Sequence, residues 1–161
     1  MKKLKLITEY TLFEDSSELD PQVRNLMNIA IDTRKKAYAP YSKFSVGTAI
    51  LLDNDEIIIG NNQENAAYPS GMCAERVAIY YAGAKYPDRA ILKMAISASS
   101  SLKHIDNPVA PCGACRQAIS EYEVKQNKAI EIYFMGESGK IIMVNSLKEL
   151  LPLGFDKSFL K

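Results

Sequence analysis

Cysteine and histidine are scarce in this 161-residue chain, and neither acid nor base prevails. There are three cysteines (Cys73, Cys112, Cys115), one histidine (His104), and 20 Lys plus Arg against 19 Asp plus Glu, a net charge of +1. An odd, small number of cysteines in a chain without a secretion signal argues against a disulfide framework and leaves thiols for metal or catalysis. The charge balance gives no electrostatic footprint for nucleic acid or an anionic membrane, and no basic run of useful length appears. No apolar stretch reaches transmembrane length. After Met1-Lys2-Lys3, the apolar Leu4, Leu6 and Ile7 are soon interrupted by Thr8, Glu9 and Tyr10. A signal peptide is therefore not expected, and the cytoplasm is the expected compartment. Internal repeats and low-complexity segments are missing too.

What is present suits one globular domain, with 47% hydrophobic residues to build its core. Residues 1–15 alternate in part and are a candidate edge strand. Asp20-Pro21 reads as a helix start, followed by Val23, Leu26, Met27 and Ala30 at helical spacing. That helix should end before Pro40. Strands are expected over 45–52 and 57–59, with Asp53-Asn54-Asp55-Glu56 as a hairpin loop. A helix over 74–82 would stop at Gly83. Further elements are a strand over 91–98, a helix from about Cys112 to Glu123, and strands over 129–135 and 140–144. Ser146 would cap a last short helix ending before Pro152. Strands alternating with helices imply an α/β layered domain around a central sheet.

Cys112-Gly113-Ala114-Cys115 sits at a predicted helix start, where positions i and i+3 share a face and two sulfurs can reach one metal ion. The helix N-terminus favours thiolate over thiol. Taken alone, this spacing serves a redox dithiol equally well. Cys73, at the start of another predicted helix, favours metal, because two helix N-termini could converge with three thiolates. His104 lies in a polar stretch before Pro108 and reads as a solvated loop residue rather than a fourth ligand. Three protein ligands suit an open site that keeps a position for water. Glu75, two residues after Cys73, could take a proton from that water and return it to a substrate. An isolated glutamate there would be an ordinary dipole-stabilised helix residue; beside the cysteines it is the candidate acid–base group.

Cys73-Ala74-Glu75-Arg76 and Pro111-Cys112-Gly113-Ala114-Cys115-Arg116-Gln117 together resemble the cytidine deaminase family. Three further segments carry the likeness: Ala39–Gly47, Asn62–Tyr68 and Leu150–Phe155. The resemblance spans about residues 20–156, implying a deaminase domain over 20–161 behind an N-terminal extension, 1–19. It implies a three-layer α/β/α fold with a central mixed five-stranded sheet, and one Zn2+ per subunit on Cys73, Cys112 and Cys115. Glu75 would be the proton shuttle, and Arg76 would donate hydrogen bonds to cysteine sulfurs. Asn62 and Glu64 would bind the ribose 3′-hydroxyl, Phe44 would pack on the pyrimidine, and backbone near Ala74 would read the base. Phe155 matches a position that closes a neighbouring subunit's pocket in a homotetramer. The implied reaction is hydrolytic deamination of cytidine and deoxycytidine in pyrimidine salvage, with a small nucleoside as partner and neither nucleic acid nor membrane. Three alternatives remain at this point: a deaminase of another cytosine nucleoside such as blasticidin S, a non-catalytic zinc-binding module, and a dithiol oxidoreductase.

Overall fold

In the computed structural model, which describes residues 1–160, the Asp20 carboxylate accepts the backbone N–H groups of Gln22 and Val23 at 3.0 Å each. Pro21 fills the first helical position, where no N–H is needed, and helix α1 (Pro21–Arg34) follows. Lys161, the last residue of the expected domain, lies outside the described residues. Strand β1 (Thr11–Phe13) precedes α1. After it come β2 (Phe44–Leu52), β3 (Ile57–Asn61), α2 (Ala74–Lys85), β4 (Ile91–Ser100), α3 (Gly113–Gln126), β5 (Glu131–Met135) and β6 (Ile141–Val144).

The strands form one sheet in the order β1-β6-β5-β4-β2-β3. Strands β4 and β5 run parallel, and the other neighbours are antiparallel. The sheet is therefore mixed, as expected, but has six strands rather than five. The sixth is β1, where Thr11, Leu12 and Phe13 pair with Met143, Ile142 and Ile141. The count of five is what the family resemblance implies; the partial alternation over residues 1–15 itself marks an edge strand, which the structure confines to Thr11–Phe13. Its position is dictated by the open edge of β6.

Alternation along the central strands sorts the core into two faces. Ile50 and Leu52 of β2 and Met94 and Ile96 of β4 pack with Ala78 and Ile79 of α2 and Ile119 of α3. Ala49, Leu51 and Ala95 point the other way, against Val23, Leu26, Met27 and Ala30 of α1. Helix α1 thus covers one face, and α2 with α3 covers the other. Each large side chain fully buried in these layers contributes about 1.5–3 kcal/mol relative to exposure.

Two departures from the sequence reading concern helix ends. Helix α2 runs through Gly83 to Lys85; a side chain at Gly83 would meet Tyr122 Oη, so the glycine answers a packing need rather than a stop. Ser146 does cap, accepting the Lys148 N–H, but only a single 3-10 turn (Leu147–Glu149) follows.

Buried polar groups tie the layers together. Glu123 of α3 accepts the N–H groups of Ile130 and Leu147 at 2.8 and 2.9 Å and the Ser146 hydroxyl at 2.8 Å. Arg34, at the end of α1, donates to Ser97 Oγ at 2.7 Å and to the carbonyls of Ala98 and Gly136. Among the described residues, no helix is long and apolar enough to cross a membrane.

Candidate active site

Cys73 and Cys112 occupy equivalent places: each is the extended residue immediately before a helix, α2 and α3 respectively. Cys115 lies one turn into α3 and is buried. The α2 start can approach β3 because residue 60 is glycine; a Cβ there would lie 2.5 Å from the Ala74 carbonyl oxygen. Cys73 Sγ is 3.8 Å from Cys112 Sγ, which is 3.5 Å from Cys115 Sγ, and all three sulfurs lie within 4.8 Å of one another. Tetrahedral thiolate ligands about 2.3 Å from zinc would be about 3.8 Å apart, so the cluster fits that ion without rearrangement. His104 takes no part: its Nδ1 is 3.1 Å from Glu137 Oε2.

The electrostatics favour an anionic sulfur at Cys73. The Cys73 thiol is pulled down to about 5, first by its hydrogen bond with Cys115 and then by that from Arg76. The same contact with Cys73, with burial, pushes Cys115 up. Arg76 Nη2 lies 3.5 Å from Cys73 Sγ, and that hydrogen bond, followed by the sulfur's charge, holds the guanidinium firmly protonated. Arg76 Nε is buried and has no hydrogen-bond partner among the described residues. Glu75 is 5% exposed, and burial pushes its carboxyl above the ordinary range. The structure therefore sets an ionisable, dehydrated carboxyl beside a cationic residue and three thiols at two helix N-termini.

A cavity of about 440 Å3 adjoins this cluster and includes Cys73 and Arg76 in its lining. Asn62 and Glu64, just after β3, line it as well. Asn62 Oδ1 accepts the Val46 N–H at 2.8 Å, and Nδ2 donates to the Phe44 carbonyl at 2.9 Å. Glu64 accepts the Tyr41 N–H, the Ser42 N–H and the Ser42 hydroxyl. The Ser42 hydroxyl, and then the backbone donors, hold its carboxyl below the usual range. Ala74 is fully buried between Cys73 and Glu75.

Among the expected residues, Cys73, Arg76, Asn62 and Glu64 line the cavity, and Phe44, Ala74, Glu75, Cys112, Cys115 and Phe155 do not. Phe44 is half-buried at the first position of β2, opposite Ser100. Phe155 is 55% exposed and stacks on Phe159, while its carbonyl accepts a hydrogen bond from Gln117 at 3.0 Å. Conversely, Tyr41 and Tyr68 line the cavity with ring centroids 6.1 Å apart, and neither was singled out from sequence. Their signal was available: both are aromatics in polar stretches, Pro40–Ser42 and Asn65–Ser70, that carry no helical or strand pattern to bury them.

Fold and site together define a layered α/β protein with a three-cysteine metal centre of zinc type opening on a ligand-sized cavity. The family model for the cytidine and deoxycytidylate deaminase zinc-binding region matches residues 21–130. A cytidine deaminase of Halalkalibacterium halodurans is 37% identical over 130 residues, covering 81% of this chain and 91% of that protein. One from Sporosarcina psychrophila is 37% identical over 135 residues, covering 84% and 92%. The crystal structure of cytidine deaminase from Burkholderia pseudomallei superposes with a TM-score of 0.71 at 33% identity, covering 85% of this chain and all of the other. The chain belongs to the cytidine and deoxycytidylate deaminase family.

Proposed function

We propose that the protein hydrolyses cytidine and 2′-deoxycytidine to uridine and 2′-deoxyuridine, releasing ammonia. The observation that carries this reading is the buried Glu75 carboxyl beside three convergent cysteines, of which Cys73 lines a cavity shared with Asn62 and Glu64. Cys73, Cys112 and Cys115 would hold Zn2+, which supplies Lewis acidity that makes water nucleophilic near neutral pH. Glu75 takes a proton from the attacking water and delivers it to N3 of the cytosine ring as C4 becomes tetrahedral. It then moves a proton to the departing amino group, so one water is consumed and one ammonia leaves. Arg76 offsets the negative charge of the thiolates and orients Cys73.

Asn62 and Glu64 bind the ribose 3′-hydroxyl: the carboxylate accepts, and the second hydrogen on Asn62 Nδ2 donates. The backbone at Ala74 reads the base and Phe44 packs on it. Phe155, exposed in the single chain, closes a neighbouring subunit's pocket in a homotetramer. In this reading residues 20–161 are the deaminase domain and 1–19 an extension, and the protein works in pyrimidine salvage in the cytoplasm. The test is ultraviolet absorbance of cytidine incubated with purified protein whose zinc is quantified in the same sample. Conversion to uridine, lost on chelation, is expected. Folded, zinc-loaded protein that leaves cytidine intact would sink the reading.

A further inference from the structure

Lys43 has a φ of 57°, a left-handed conformation that a lysine adopts only against its own preference and a glycine adopts freely. Both flanks of this kink are held from one place, the three residues that follow β3. On the N-terminal side, the Glu64 carboxylate gathers the Tyr41 N–H at 2.9 Å, the Ser42 N–H at 3.2 Å and the Ser42 hydroxyl. On the C-terminal side, the Asn62 carboxamide spans the Phe44 carbonyl at 2.9 Å and the Val46 N–H at 2.8 Å, as a neighbouring strand would. The Ser42 hydroxyl oxygen also accepts the Phe44 N–H at 3.0 Å, so it bridges directly across Lys43. The Lys43 backbone is engaged too: its N–H donates to Ala39 and its carbonyl accepts from Ser101.

We infer that Ser42, Glu64 and Asn62 form a clamp that holds Lys43 left-handed and thereby sets where Tyr41 stands at the nucleoside pocket and how Phe44 enters β2. Ser42 is then a positioning residue for substrate binding, acting through Phe44 and Glu64. The inference rests on the deaminase reading and adds a second task to the two sugar-facing side chains. Their atoms are engaged by backbone groups as well as offered to a ligand, so the pocket wall and the sugar contacts are fixed by the same bonds. Such preorganisation lowers the ordering cost of binding.

The clamp is tested with Ser42→Ala, Ser42→Thr and the double variant Ser42→Ala/Lys43→Gly, all zinc-loaded. Ser42→Ala should raise KM for cytidine about fivefold or more while kcat and zinc content stay within about twofold. Ser42→Thr keeps the hydroxyl and should stay near the parent value. Glycine at position 43 needs no clamp to turn left-handed, so the double variant should recover at least about half of the KM change on a logarithmic scale. A general loss of folding would lower the active fraction and would not be repaired by glycine. A Ser42→Ala KM within about twofold of the parent, or a double variant no better than the single, overturns the clamp.

Amide hydrogen exchange across residues 41–46 gives a readout independent of turnover. It should quicken in Ser42→Ala while residues 47–52 stay slow, and unchanged exchange overturns the proposal. If the parent protein does not convert cytidine, the deaminase reading fails and exchange alone decides the clamp.

Discussion

Cys73 Sγ and Cys112 Sγ stand 3.8 Å apart although 39 residues of chain separate them. Each is placed by its own helix, α2 or α3, and those helices pack on the same face of the sheet. A metal ion bridging the sulfurs therefore cross-links two elements distant in sequence. Because the folded state binds the ion far better than the unfolded chain, occupancy adds to stability, about 4 kcal/mol when free metal exceeds Kd a thousandfold. Chelation should accordingly lower Tm by roughly 8–16 °C for a domain of this size. Cys112→Ala should lose zinc and activity together. Unchanged zinc content in that variant, by metal analysis, would contradict the ligand assignment.

Glu75→Gln keeps the shape of a buried side chain but cannot carry the proton. Zinc content and Tm should stay near parent values, while kcat/KM falls at least roughly a hundredfold. The check is steady-state kinetics on protein of known metal content. Full activity in such a preparation would remove Glu75 from the mechanism.

Arg76 donates to Cys73 from the first turn of α2. Replacing it with glutamine removes the charge beside the thiolates, so zinc affinity should fall about 10–100-fold. Competition against a chromophoric chelator measures this directly. An unaltered affinity would reduce Arg76 to an ordinary helix residue.

Glu123 supplies acceptors to two backbone N–H groups and one hydroxyl in the buried corner between α3 and the chain after β6. Glu123→Ala orphans those donors at about 1–3 kcal/mol for each unsatisfied buried group. A net loss of about 3 kcal/mol corresponds to a Tm lower by roughly 6–12 °C. Thermal denaturation of the zinc-loaded variant checks this. A Tm within about 2 °C of the parent would mean that water replaces the carboxylate there.

The Cys112–Cys115 half of the metal centre was legible in the sequence because its geometry is local: a three-residue cysteine spacing at a helix start needs no tertiary knowledge. Cys73 is marked by its own helix start, but its approach across 39 residues rests on the packing of α2 and α3 on one face. Strands β2 to β6 were legible for a similar reason, since apolar alternation and hairpin residues are written into the chain. Gly83 misled because a local stop signal and a tertiary packing requirement look alike; the Tyr122 ring that explains it lies 39 positions away. Asn62 and Glu64 were found as cavity residues, but not their grip on residues 41–46, which depends on a close approach between separate segments. For Phe44 and Phe155 the motif names the residue and not the direction of its ring. In the single chain, neither ring lines the cavity beside the cysteines.

Strand β1 has an effect unrelated to chemistry. Its three residues occupy the outer edge of β6, whose sequence Ile141-Ile142-Met143-Val144 is wholly apolar. An open edge of that composition is a template for pairing with other chains. At the end of β1, Glu14 meets Lys140 at 3.6 Å, placing charges where the pairing stops. The short N-terminal strand thus guards solubility: a shortened chain beginning after Phe13 would keep its metal ligands and proton carrier yet present a sticky border, inviting sheet-to-sheet aggregation.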